Sequence, residues 1–284
     1  MAFEYTRAPM RRARSFVWLV ILLTLSACAS GPKKPPVGTL EPDKFLWERG
    51  TEELNKKHWL VSREYFRQLM DSYPQSQYRA DAKLGLADSY LGEGSAESNV
   101  LAVNEYREFL SFYPTHKRAY YAQFKLGMCH YYQMHGPDRD QTETKEAITE
   151  LTAFVQRYSR PEENPLLDEG RARLREAKDR MSDADYRVAI FYLKTQKFPP
   201  AAIDRFKAIL KDDPEYSRRD GVYFNLAEAL IRMKQEKEAL VYLDRLTVEF
   251  EQSEFLEQTK KLIDTLKADP AAKKPKNGSV SHES

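Results

Sequence analysis

Apolar residues recur three and four positions apart through most of the chain, which is the spacing of one face of an α-helix. One pattern is used repeatedly: "FRQLMDSYPQS" from Phe66, "YREFLSFYPTH" from Tyr106, "LTAFVQRYSRP" from Leu151, "FKAILKDDPEY" from Phe206 and "LDRLTVEFEQS" from Leu243. Each copy opens on a large apolar residue and places another three or four positions on. It closes on Tyr, Phe or Asp, followed by Pro or a polar residue. Pro74, Pro114 and Pro214 stand where a helix must stop, because proline lacks the amide donor and its ring clashes with the preceding turn. A second amphipathic stretch precedes each copy. From the second copy on, it carries a large residue beside a small one: Leu86-Ala87, Leu126-Gly127, Val188-Ala189 and Leu226-Ala227. The pattern predicts paired helices, the large residues plugging the gap within a pair and the small ones admitting a neighbour.

These pairs resemble the tetratricopeptide repeat, a helix–turn–helix of about 34 residues. The fifth copy matches best, through Leu226, Ala227, Leu230, Ala239, Leu243 and Leu246. The first is weaker at its small positions, with Gly50 but Ser62 where Ala is usual, and the third is stretched through "HGPDRDQTET". From Arg171 to Lys197 there is neither Pro nor Gly, which predicts one long helix, bent near Ser182 if bent at all. A last helix from about Ser253 to Lys267 would cap the array with Phe255, Leu256, Leu262, Ile263 and Leu266. The expected fold is therefore all-α: a tetratricopeptide-repeat solenoid of about five helix pairs with a C-terminal capping helix.

The first forty residues follow another logic. Arg7, Arg11, Arg12 and Arg14 precede the apolar run that begins at Phe16. That run is shorter than the roughly 20 residues a transmembrane helix needs, and it reads as an export signal. It ends in Leu25-Ser26-Ala27-Cys28, which resembles the bacterial lipobox. There the cysteine sulfur is alkylated by a diacylglyceryl group, the chain is cut before the cysteine, and the new amine is acylated. Ala29, rather than Asp, favours sorting to the outer membrane. Pro32, Pro35, Pro36 and Pro42 predict an extended tether, about twelve residues spanning roughly 40 Å. The expected organisation is a signal peptide over 1–27, a lipidated cysteine and tether over 28–40, and repeats 1–3 over 41–160. The long helix, repeats 4–5 and the cap occupy 161–267, and a tail of disordered composition occupies 268–284.

Composition narrows the function. With 31% charged residues and a net charge of +2, the chain lacks the basic footprint of a nucleic-acid binder. Its mean hydropathy of −0.68 suits a thin-cored helical array. His58, His116, His130, His135 and His282 form no HExxH or similar metal spacing, and there is no phosphate-binding glycine loop. Cys129, at a helical core spacing, reads as a buried structural thiol. "DRD" at Asp138 to Asp140 could hold a cation or clasp a loop, with Asp140 capping a helix that starts near Thr142. No catalytic residue, metal or cofactor is expected beyond a covalent lipid on Cys28.

Together the lipobox, the Pro-rich tether and several long stretches resemble the BamD/YfiO family, the D lipoprotein of the outer-membrane β-barrel assembly machinery. The stretches are "YFRQLMDSYPQSQYRADAKLGLADSY", "EYREFLSFYPTHKRAYYAQFKLGMCHYY", "DRDQTETKEAI", "DYRVAIFYL" and "AAIDRFKAIL", within about residues 41–255. The "DRDQT" loop is the most specific of them. "QKFPPAAID" departs from the family with its two prolines, which puts the local shape of the fourth repeat in question. The resemblance implies an outer-membrane lipoprotein on the periplasmic face. Its partners would be the periplasmic domains of the barrel-forming assembly subunit, unfolded outer-membrane proteins and other assembly lipoproteins. It places a basic partner contact at Arg205, which stands beside Phe206 at the edge of the stripe Ala202, Phe206, Ile209 and Leu210. The alternative is an arginine that is solvated or paired with Asp204 or Glu238. An extended client would meet a concave surface, for which Tyr65, Tyr90, Tyr106, Tyr120, Tyr121 and Tyr131 are candidates, most of them also fitting as core plugs. Rival classes are another repeat lipoprotein, such as a pilotin for secretin or pilus assembly or a division-linked adaptor, and a peptidoglycan enzyme. The first would lack the "DRDQT" loop and the long helix. The second would need an activated nucleophile or placed carboxylates.

Overall fold

The computed structural model describes residues 34–268, and all regular structure among them is helical. The signal peptide, Cys28 and the tail beyond 268 lie outside the described residues. The chain divides into two compact units, Met1–His116 and Lys117–Ser284.

The first unit holds α1 (Pro42–Asn55), α2 (Trp59–Ser72), α3 (Arg79–Glu93) and α4 (Ala96–Phe112). Each helix packs on the next, and α1 also reaches α3. Phe66 explains the spacing of small residues. A Cβ added at Gly50 would lie 2.6 Å from its ring, and one at Gly85 would lie 2.4 Å away. Ring and helices thus touch only because two side chains are missing. The unusual Ser62 of the first repeat is buried, and its hydroxyl donates to the Gly50 carbonyl at 2.9 Å. The turn after α2 is clasped from α1, where Asp43 Oδ2 accepts from Ser76 Oγ at 2.6 Å. Gly94 ends α3 in the left-handed region at φ 75°, which favours glycine, and Ser95 caps α4 by accepting from the Ser98 amide. Ahead of α1 the tether is not extended throughout. The Thr39 amide and hydroxyl both donate to the Pro36 carbonyl, closing a turn in which Gly38 takes φ 90°. Such a turn spans under about 7 Å where extended chain would cover about 10 Å, so the reach is shorter than the prolines alone imply.

The second unit holds α5 (Ala119–Tyr131), α6 (Thr142–Arg157), α7 (Leu167–Ile190), a π turn (Phe191–Thr195), α8 (Pro199–Asp212), α9 (Arg219–Arg232), α10 (Glu236–Glu249) and α11 (Leu256–Ala268). Successive helices again pack as neighbours. One core gathers Phe124, Met128, Leu151 and Phe154, and the other centres on Ala202, Phe206, Tyr216, Leu226, Leu230 and Leu243. Cys129 is fully buried. Gly170 lets α7 approach α6, since a Cβ there would come within 2.2 Å of the Phe154 ring.

The long helix differs from its expected bounds at both ends. It begins at Leu167, and its α-helical bonding gives way at Phe191 to a π turn, where the Gln196 amide donates to the Phe191 carbonyl. Lys197, at φ 52°, then reverses the chain. Pro199 and Pro200 open α8 rather than disturb it: the first helical turn needs no amide donors, and the fixed proline φ suits it. The capping helix starts at Leu256, because Ser253 belongs to the turn before it and its hydroxyl donates to Asp220 Oδ2 at 2.6 Å. Thr259, Ile263 and Leu266 are the residues α11 buries.

The residue that follows the helix is an aromatic after α2, α4, α6 and α10 (Tyr73, Tyr113, Tyr158 and Phe250), whereas after α8 it is Asp213. The Asp213 carboxylate accepts from Arg175 Nη1 at 2.9 Å and from Ser182 Oγ at 2.7 Å, both on α7. Burial raises its pKa, but these two hydrogen bonds outweigh it and hold the group below the ordinary carboxylate value. A carboxyl depressed in the folded state stabilises fully above its unfolded value of about 3.9 and loses that contribution as pH falls through the folded value. Asp213→Asn is therefore expected to cost about 2 kcal/mol at pH 7 and less at an acid pH below the folded value, where the carboxyl is protonated. Urea unfolding followed by circular dichroism at the two pH values checks this, and a penalty independent of pH would contradict it.

Candidate partner-docking site

The inserted loop of the third repeat is built by its own polar residues. Gln141 Nε2 donates to the carbonyls of Gly136 at 2.7 Å and Arg139 at 2.9 Å, while Gln141 Oε1 accepts from Thr144. Asp140 Oδ2 accepts from the Thr142 amide at 3.0 Å, and that bond holds the Asp140 carboxyl below its ordinary pKa. The "DRD" motif therefore acts here as a loop clasp at the start of α6. Arg180 of α7 donates to the His135 carbonyl at 2.9 Å and ties the loop to the long helix.

Between loop and helix lies an open cleft of about 620 Å³. Pro137, Asp138, Arg139 and Lys145 line one side, and Asp185, Arg187, Val188 and Phe191 line the other. Val188 and Phe191 are exposed although apolar, Phe191 by 46%. The π turn begins at Phe191, and π turns re-aim the side chains around them. Charges of both signs surround this apolar floor, the usual make-up of a protein interface with a polar rim.

Arg205 stands beside the cleft. Its guanidinium is half exposed and lies 4.0 Å from Asp185 Oδ1, a cleft residue. The pairing considered with Glu238 is replaced, since Glu238 binds Lys207 at 2.7 Å. A half-exposed pair at this distance contributes little, so the arginine remains at the disposal of a partner. Burial raises the Asp185 carboxyl above its ordinary pKa and Arg205 opposes that shift. The stripe beneath is as expected: Ala202, Phe206 and Ile209 are buried and Leu210 half-buried, joined by Ile203.

Three of the six tyrosine candidates are core plugs. Tyr65, Tyr90 and Tyr106 are buried in the first unit, because the helix-pair interior absorbs their rings, and they leave the set of groove candidates. Tyr120, Tyr121 and Tyr131 are half-buried in the second unit. Of these, Tyr120 packs on the Phe124–Phe154 core, Tyr121 lies under the Arg118 guanidinium at 4.6 Å, and the Tyr131 hydroxyl donates to Glu176. Val188 and Phe191 were the functional candidates missed in the sequence. The signal was present in "VAIFYL", which carries more apolar residues than one helix face can bury.

Stacked helix pairs, a capping helix and a cleft shaped by a repeat insertion define a tetratricopeptide-repeat protein. Within that class the chain belongs to the YfiO family, described as outer membrane lipoprotein, which matches residues 40–241. Two relatives bear the name outer membrane protein assembly factor BamD. The one from Caulobacter vibrioides is 28% identical over 232 residues, covering 81% of this chain and 73% of the relative. The one from Vibrio cholerae is 26% identical over 207 residues, covering 69% and 82%. Among solved structures, MamA from AMB-1 aligns at 16% identity and a TM-score of 0.34 over 74% of this chain and 93% of that one. A thermophilic TPR protein in Thermus thermophilus aligns at 14% identity and a TM-score of 0.33 over 78% and 98%.

Proposed function

We infer that this chain is a scaffold of the outer-membrane β-barrel assembly machinery. A lipid on Cys28 anchors it to the periplasmic face of the outer membrane, and it binds the periplasmic domains of the barrel-forming subunit. Family membership and the assembly-factor relatives support the role, and they disfavour a pilotin or division adaptor. The docking reading is carried by one observation: an apolar-floored cleft with Arg205 at its side. Unfolded barrel proteins and other assembly lipoproteins are the remaining partners. For an extended client, the half-buried Tyr120, Tyr121 and Tyr131 are the aromatics left to offer contact.

Arginine suits bidentate contact with a partner carboxylate, and exposed aromatics anchor interfaces. Arg205→Glu and Phe191→Ala are each expected to weaken binding to the purified periplasmic domains about tenfold, or ~1.4 kcal/mol, with circular dichroism unchanged. Calorimetric titration measures it. Wild-type affinity in both variants would remove the barrel subunit from this cleft.

A further inference from the structure

Outside the cleft, α5 and α6 bring together a group of metal-type donors. A ring nitrogen of His130 and one carboxylate oxygen each from Glu146 and Glu150 lie within 4.8 Å of one another. His130 is 7% exposed. Its Nδ1 is 2.8 Å from Glu143 Oε2, while its Nε2 is buried with no hydrogen-bond partner. An imidazole fixed through one nitrogen by a carboxylate, with the other nitrogen buried and unpaired, is the arrangement that orients a metal-ligating histidine. Glu143, Glu146 and Glu150 are one turn apart along α6, so three carboxylates converge on that ring. Gln123 Nε2 steadies Glu150 by donating to its Oε2 at 2.8 Å and to its carbonyl at 3.2 Å.

We propose that His130, Glu146 and Glu150 bind a divalent transition-metal ion, Zn2+, with Glu143 as the positioning residue for the imidazole. Three donors 4.8 Å apart can each lie about 2.8 Å from a common centre, so modest rotamer changes reach the ~2.0–2.2 Å of zinc–nitrogen and zinc–oxygen bonds. A nitrogen donor among carboxylates selects zinc over calcium or magnesium, which take oxygen alone. Water completes the coordination. No motif search along the sequence finds this site, because its ligands come from two antiparallel helices either side of a loop. The ion joins the end of α5 to the start of α6 and so fixes both ends of the loop that lines the docking cleft.

The test uses the untagged full chain in detergent, titrated with Zn2+ against a chromophoric chelator. Cobalt(II) serves as a spectroscopic substitute. One tightly bound Zn2+ is expected, with a rise in thermal midpoint and visible cobalt absorption of low-coordinate character. Glu146→Gln keeps shape at a partly exposed position and is expected to weaken binding at least a hundredfold. Glu143→Gln should weaken it about 10- to 100-fold by freeing the ring. The His130→Gln, Glu146→Gln double variant retains the other four histidines. Zn2+ binding that is absent from the wild type, or equal in wild type and double variant, would overturn the proposal.

Discussion

Phe66→Ala will destabilise the first unit by about 3–5 kcal/mol, the cost of emptying a large buried ring site that cannot collapse fully. Phe66 is 1% exposed and its ring is the surface on which both Gly50 and Gly85 rest. Two helices therefore lose their common contact at once. The converse change, Gly85→Ala, places a methyl 2.4 Å from that ring and should cost about 1–3 kcal/mol by overpacking. Combining Gly85→Ala with Phe66→Leu should cost less than the sum of the two, because the shorter side chain vacates the space the methyl needs. Trp47 and Trp59 both lie in this unit, so tryptophan emission during denaturant unfolding reports on it selectively when Trp18 is left out of the chain. A Phe66→Ala penalty under about 1 kcal/mol would show that the ring is not the joint described.

Replacing Cys28 by Ala should remove the protein from the outer-membrane fraction in cells depleted of the other assembly subunits. The expected effect exceeds any side-chain substitution in the helices. Each buried methylene contributes about 0.8 kcal/mol, two acyl chains already make attachment stable, and a processed lipoprotein carries two or three. No helix among the described residues is long and apolar enough to cross a membrane, so none of them substitutes for the lipid. Flotation of the Cys28→Ala protein with outer membrane under those conditions would sink the anchor reading.

Helix pairing was legible because it depends on a period of 3.6 and on proline stops, both local properties of a chain. Leu226, Ala227, Ala239 and Leu243 announced the fifth pair and are fully buried. Element ends were less legible. Ser253 reads as the start of a helix, but a serine hydroxyl can equally close the turn before one, and the partner that decides, Asp220, lies on another helix. Side-chain exposure was least legible. A tyrosine at a core spacing and one on a groove look alike in sequence, and only the packing of Tyr65, Tyr90 and Tyr106 separates them from Tyr121. The His130 cluster was invisible for the same reason: its carboxylates stand on another helix.

The π turn at Phe191–Thr195 carries one more residue than the α-helical turn it replaces. Each residue of an α-helix turns the chain about its axis by about 100°, so deleting one residue within an ordinary helix swings its buried stripe to solvent. Here a deletion would merely restore α-helical winding, and the first turn of α8 is set afresh by Pro199 and Pro200. This joint is therefore where natural variation in length between related chains should be tolerated. Leu193 inside the turn is fully buried in the core of the second unit, so the length changes tolerated here are those that keep Leu193 in place and fall on the exposed residues around it.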